Sequence, residues 1–322
     1  MKKTFRFTLA VAFTLCLPFS GLRSPRVVQA QEEAPDVARQ NNAPDVLPKV
    51  IHRTHTNQDM DSNRGAHPAS TGLLRSGNGI SYHGGPLILG TTHVYYIWYG
   101  NWSGNSAESI LTNLAQHIGG SPYFNINTTY YNGSKTHVTN SVSYYGSTTD
   151  NYSRGTSLSD SDIQTIVFNA INSGRLAYDT NGVYFVLTSA DVTETSGFCS
   201  QYCGWHTDGI LNNGYIKYAF IGDPDQCPSA CEAQTTSPNN NPGADGMASI
   251  ISHELEESVT DPLLNAWYDS RGQENADKCA WTFGTLHTAP NGSYYNMTLG
   301  GLNYLIQRNW VNASGGYCAL SY

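Results

Sequence analysis

Apolar periodicity beyond residue 80 switches repeatedly between the two-residue spacing of strands and the 3.6-residue spacing of helices, which predicts an α+β fold. Two further observations qualify it. Six cysteines lie beyond residue 30, an even number that reads as up to three disulfides. One expected helix carries the stretch SIISHELEESVTDP at 249–262, so the sheet is joined by a helix with a motif on it. The chain has 322 residues, 39% hydrophobic and 13% charged, which is enough to bury a real core.

The elements follow in order. Residues 1–30 read as a signal peptide: MKKTFR is a positive n-region, FTLAVAFTLCLPFSGL an apolar core, and Val28-Gln29-Ala30 a small-residue cleavage site. The apolar run is too short for a membrane anchor, and no second span follows. Residues 31–78 read as a disordered linker or propeptide, with APDV occurring twice and little apolar periodicity. The globular domain is expected over 79–322.

Within it, THVYYIWYG (92–100) reads as a buried strand, and NSAESILTNLAQHIGG (105–120) as a helix with Ile110, Leu111, Leu114 and Ile118 on one face. The Tyr-, Thr-, Asn- and Ser-rich tract from 123 to 157 reads as exposed antiparallel strands. Ser159 with Asp162 forms a capping box ahead of the stripe Ile163, Ile166, Val167, Ala170 and Ile171. VYFVLT (183–188) and YIKYAFIG (215–222) are strands, with the loop GFCSQYCGWH between them. The motif helix is expected to begin near Ala244-Asp245, to bury Met247, Ile251, Leu255 and Val259, and to stop at Asp261-Pro262.

Charge and cysteines narrow the function classes. Five of the 17 basic residues and none of the 25 acidic ones fall in the first thirty, so the remainder holds 12 basic and 25 acidic residues, a net of −13. An acidic chain without a basic patch argues against nucleic acid and anionic membranes. The cysteines beyond the signal are Cys199, Cys203, Cys227, Cys231, Cys279 and Cys318. Two C-x-x-x-C pairs have spacing that a structural zinc site accepts, but an oxidising compartment favours disulfides, with Cys279–Cys318 the expected pairing. No G-x-S-x-G, P-loop or dinucleotide fingerprint occurs.

The motif His253-Glu254-Leu255-Glu256-Glu257 is weighed against a plain acidic surface helix. His253 and Glu257 are four apart, so they share a helix face, about 160° to 200° from Leu255. Glu254 stands where the proton-accepting carboxylate lies in H-E-x-x-H metallopeptidases, and Glu257 replaces the second histidine. One histidine with two carboxylates suits zinc, and leaves manganese or calcium open. A third ligand is available in WYDSRGQENADKCAWTFG: Glu274 and Asp277 lie 17 and 20 residues after Glu257, with Asp277 preferred. No Lys or Arg occurs between 244 and 260 to partner the three glutamates, as an ordinary surface helix would provide. His206 in CGWH could be a further ligand, but reads more simply as a structural loop histidine.

Several blocks together carry a resemblance: ISYHGGPLILGTTHVYYIWYGNW, VYFVLTSADVTETSGFCSQYCGWH, DQCPSAC, PNNNPGADGM and VTDPLLNAWYD. They resemble the phosphate-induced protein/EXORDIUM family over most of residues 80–322. The resemblance implies a secreted, extracellular protein, associated in plants with growth and nutrient responses in the cell wall space. It supplies no catalytic activity. Plant members typically carry, at the motif, a stretch without the histidine and its acids, so this chain resembles a microbial branch that keeps them. The resulting expectation is a single zincin-like domain and a metal-dependent, peptidase-like hydrolase, with Glu254 catalytic and His253, Glu257 and Asp277 or Glu274 on the metal. Its substrate would be a peptide or a cell-wall-derived molecule. The alternative is a non-catalytic extracellular protein that binds wall or glycan.

Overall fold

In the computed structural model, the residues described are 79–322 and the two-residue strand β1 (Asp45–Val46). The expected signal peptide, and all of the expected linker apart from β1, lie outside the described residues. Strand β2 (Thr92–Tyr99) is buried at every position but His93, as its aromatic and β-branched run requires. It pairs in parallel with β3 (Val142–Asp150) on one side and β4 (Gly182–Thr188) on the other. Beyond β4, strand β6 (Gly214–Gly222) is again parallel, and β5 (Gly204–Leu211) closes back on it antiparallel. Asn212 and Asn213, at φ 50° and 65°, form the two-residue turn between them, in the left-handed conformation that such hairpins demand. β1 adds antiparallel to the outer edge of β5, pairing Asp45 with His206 and Val46 with Trp205. The sheet order is β1-β5-β6-β4-β2-β3.

The tract 123–157 corrects the expectation of exposed antiparallel strands. Phe124–Thr129 is a 3-10 helix with four buried residues, and the one long strand, β3, runs parallel to β2. Helix α1 (Ala107–His117) supplies the crossover that a parallel pair needs. β3 is a half-buried edge strand, and such a strand shows the same polar composition whichever way it runs.

Helix α2 (Asp160–Asn172) begins with the expected capping box between Ser159 and Asp162, and its apolar stripe is buried. Helix α3 (Pro242–Thr260) starts two residues earlier than expected. Asn241 is its N-cap, accepting from the Ala244 amide at 3.1 Å, and Pro242 takes the first turn, where its missing N–H costs nothing. The two helices cover opposite faces of the sheet. A Cβ at Gly204 would lie 2.5 Å from Ile250 of α3, whereas one at Gly209 would lie 2.6 Å from Gln164 of α2. Since side chains alternate along β5, His206 shares the Gly204 face and points toward α3.

Three disulfides brace the fold. Cys199–Cys227 and Cys203–Cys231 join the loop before β5 to the segment leading into α3, and Cys279–Cys318 forms as expected. The C-x-x-x-C pairs are thus bonded to each other rather than arranged around zinc. The result is a mixed α+β architecture. Among the described residues, no helix is long and apolar enough to cross a membrane.

Candidate metal centre

α3 is not a surface helix. It is packed against the sheet and α1, and every residue from Gly243 to Thr260 except Gly246 is buried. His253, Glu254, Glu256 and Glu257 are all 0% exposed. Taking carboxylates out of water costs several kcal/mol each unless the surroundings compensate, so a buried acidic cluster calls for a physical account.

Two loops complete the surroundings. After α3, both the Asn265 and the Ala266 amide donate to Asp261 Oδ1 at 2.5 Å, so Asp261 terminates the helix, as expected. The chain then turns through Asp269, whose carboxylate accepts from Lys278 Nζ at 2.9 Å, and this ion pair folds residues 269–278 back over the end of α3. Cys279–Cys318 fixes the far side of that loop. The Asp277 amide donates to Glu257 Oε1 at 2.9 Å, and the Glu274 amide donates to Asp277 Oδ2 at 3.2 Å.

All five residues expected at a site meet here. His253 Nε2 lies 3.1 Å from Glu257 Oε1 and 3.7 Å from Asp277 Oδ1. Ligand atoms of His253, Glu257 and Asp277 all lie within 4.8 Å of one another. Two ligands at about 2.1 Å from one tetrahedral ion stand about 3.4 Å apart, so these separations are of the right size. Both ring nitrogens of His253 are buried; Nε2 faces two carboxylate oxygens, and no group among the described residues meets Nδ1 at hydrogen-bond geometry. An imidazole nitrogen with two carboxylate oxygens converging on it is an arrangement a shared cation would also produce.

His206 corrects the reading of a structural loop histidine. It sits on β5, 0% exposed, with Nε2 3.2 Å from Glu274 Oε2 and 3.7 Å from Glu257 Oε2. His206, Glu254 and Glu257 form a second group whose ligand atoms lie within 4.8 Å of one another. Glu274 therefore stands against His206, while Asp277 stands against His253. The sequence assigns GFCSQYCGWH to a loop, and the three consecutive polar residues His206, Thr207 and Asp208 hide the strand that begins at Gly204.

Glu256 has a different role. Its carboxylate accepts from Asn309 Nδ2, its carbonyl from Asn275 Nδ2 at 3.4 Å, and burial holds its carboxyl well above the usual range. It braces the C-terminal strands rather than joining the cluster. Burial works against charge on His253, yet the carboxylates of Glu257 and Asp277 outweigh it and hold the imidazole well above its ordinary pKa. Asp277 is pushed up to about 6 by burial and by the charge of Glu257, against the pull of His253. Separately, a cleft with about 360 Å³ of empty space opens near Ser249, one turn before His253, walled by Glu232, Trp281 and Gln307 among others. The cluster residues are not among its walls.

Fold and cluster together define a disulfide-braced α+β protein with a buried histidine–carboxylate centre. Residues 80–310 match the family described as the phosphate-induced protein 1 conserved region, and the chain belongs to that family. It is 31% identical over 273 residues to Protein EXORDIUM-like 5 of Arabidopsis thaliana, covering 72% of this chain and 75% of the relative. Against Protein EXORDIUM-like 3 of the same plant, identity is 30% over 288 residues, covering 77% and 84%. Protein PHOSPHATE-INDUCED 1 of Nicotiana tabacum is 26% identical over 232 residues, covering 62% and 71%. No solved structure matches the chain.

Proposed function

We propose that this chain is an exported metal-dependent hydrolase acting on peptides, with a zincin-like pairing of motif helix and sheet. The observation that carries the reading is the convergence of His253, Glu257 and Asp277, three buried ligand atoms within 4.8 Å of one another. These residues would hold zinc, with manganese or calcium as the harder alternatives. A cation bound there polarises a carbonyl and makes water acidic enough to lose a proton near neutral pH. Glu254, next to His253 and grouped with Glu257, is the carboxylate that would accept that proton. A peptide substrate is supported by β5, an edge strand carrying His206 whose outer side pairs, among the described residues, only with the two residues of β1. Such an edge takes up extended chains through main-chain hydrogen bonds. Export is supported by the three disulfides and by the n-region and apolar core of residues 1–30.

Complete burial of the donors favours a second reading, in which the cation only braces an extracellular wall- or glycan-associated protein. Elemental analysis of protein purified without chelator, followed by a peptide-library digest of the loaded protein, separates the two. Bound cation lost in His253→Ala, with hydrolysis lost in Glu254→Gln, is the expected result. Bound cation without any hydrolysis would leave the bracing role, and no bound cation would end both readings.

A further inference from the structure

We propose that the centre is built for two divalent cations, bridged by the carboxylate of Glu257. The two oxygens of Glu257 face different histidines: Oε1 lies 3.1 Å from His253 Nε2, and Oε2 lies 3.7 Å from His206 Nε2. A carboxylate placed between two imidazoles in this way is the usual bridge of paired-cation sites, where the ions stand about 3.5–4 Å apart. On one side, His253 and Asp277 complete the first set. On the other, His206 and Glu254 share a group with Glu257, and Glu274 Oε2 stands 3.2 Å from the same His206 nitrogen. The two sets come from independent parts of the chain, since His206 is fixed by β5 and Asp277 by the loop after α3.

Charge balance argues for the second ion. With the ligands Glu257, Glu274 and Asp277 and the neighbouring Glu254 deprotonated and the two histidines neutral, the cluster carries four negative charges. One divalent cation offsets half of that charge and two offset all of it, in a place where the residual charge would be costly. The ligand set, rich in carboxylate with one imidazole per ion, suits zinc or manganese. The first cation of this pair is the one on which the proposed function rests. Glu254 stands beside the second set without being needed as its ligand, since His206, Glu274 and Glu257 Oε2 already converge there, so it keeps its role as proton acceptor.

The test is a titration of metal-stripped, disulfide-intact protein with Mn²⁺, followed by electron paramagnetic resonance and by elemental analysis. Two cations per chain are expected, with the spin-coupled spectrum of a bridged pair. His206→Ala and, separately, Glu274→Gln should bring the count to one and abolish the coupling, with folding checked by circular dichroism. The conservative Glu274→Gln keeps the assay informative if His206→Ala does not fold. A single cation in the wild type overturns the bridged pair but leaves the proposed function standing. Two uncoupled cations also overturn the bridge, and none overturns both readings.

Discussion

Adjacent glutamates on α3 have opposite fates, because one helical step of about 100° turns Glu257 toward the histidines and Glu256 toward Asn309. Glu256 is held as a hydrogen-bond acceptor, so Glu256→Gln should change stability by less than about 1 kcal/mol. Glu256→Ala, which leaves Asn309 buried without that acceptor, should cost about 1–3 kcal/mol in chemical denaturation. A second residue makes a pH-dependent prediction. Glu232, 6% exposed, has its carboxyl pushed up to about 8 by burial, with the hydrogen bond and charge of Asp225 and the charge of Asp223 adding to it. The folded state thus binds this proton more tightly than the unfolded chain does. Its contribution to stability is full below about pH 4.5 and is lost as pH rises toward about 8. Melting temperature measured across that window should fall less steeply in Glu232→Gln than in the wild type, and parallel curves would show that Glu232 does not titrate there. His206 shows the limit of residue-level reading. Its identity and neighbours were visible, but only the register of β5 against β6 aims it at α3.

The helices were legible because their signals are local. The capping box of Ser159 and the stripes of α1 and α2 are written within about four residues of each other, and they fold as written. The N-terminus of α3 is also written in the sequence as Asn241-Pro242, although the glycines that follow at 243 and 246 weaken helix propensity there. That cap does more than end a helix. Asn241 accepts from the Ala244 amide at 3.1 Å, and its Nδ2 donates to Asn105 Oδ1 and Ser106 Oγ at 2.7 and 2.9 Å, tying α3 to the start of α1. Asn241→Ala should therefore lower unfolding free energy by about 1–2 kcal/mol in a denaturant titration. A loss under about 0.3 kcal/mol would mean that water replaces all three bonds. Strand direction was the part not legible. Nothing local in β3 distinguishes a parallel from an antiparallel partner, because that choice is made by α1 crossing between the two strands.

At the scale of the molecule, the centre depends on three segments far apart in sequence: β5, α3 and the loop that holds Glu274 and Asp277. Each is secured beside a disulfide. Cys203 precedes His206 by three residues, Cys231 precedes α3, and Cys279 follows Asp277 by two. Replacing both Cys279 and Cys318 with serine should cost about 3–4 kcal/mol, given a loop of 39 residues. It should also weaken cation binding, measured by competition with a coloured chelator, more than an equally destabilising change elsewhere does. The pairing Cys279–Cys318 was anticipated, whereas the two others required the loop before β5 to meet the turn before α3.

The paired C-x-x-x-C segments give this centre a history as well as a shape. Before oxidation, their four thiols form a softer zinc trap than any carboxylate set, at a spacing zinc accepts. Only once Cys199–Cys227 and Cys203–Cys231 have closed is that rival ligand set withdrawn. On the proposed function, oxidation should therefore come before metallation. Cobalt added to the reduced chain should show the intense near-ultraviolet thiolate band, and cobalt added to the oxidised chain should lack it. On the same reading, zinc offered to a chain made in a reducing compartment should go to the thiols instead of the carboxylates.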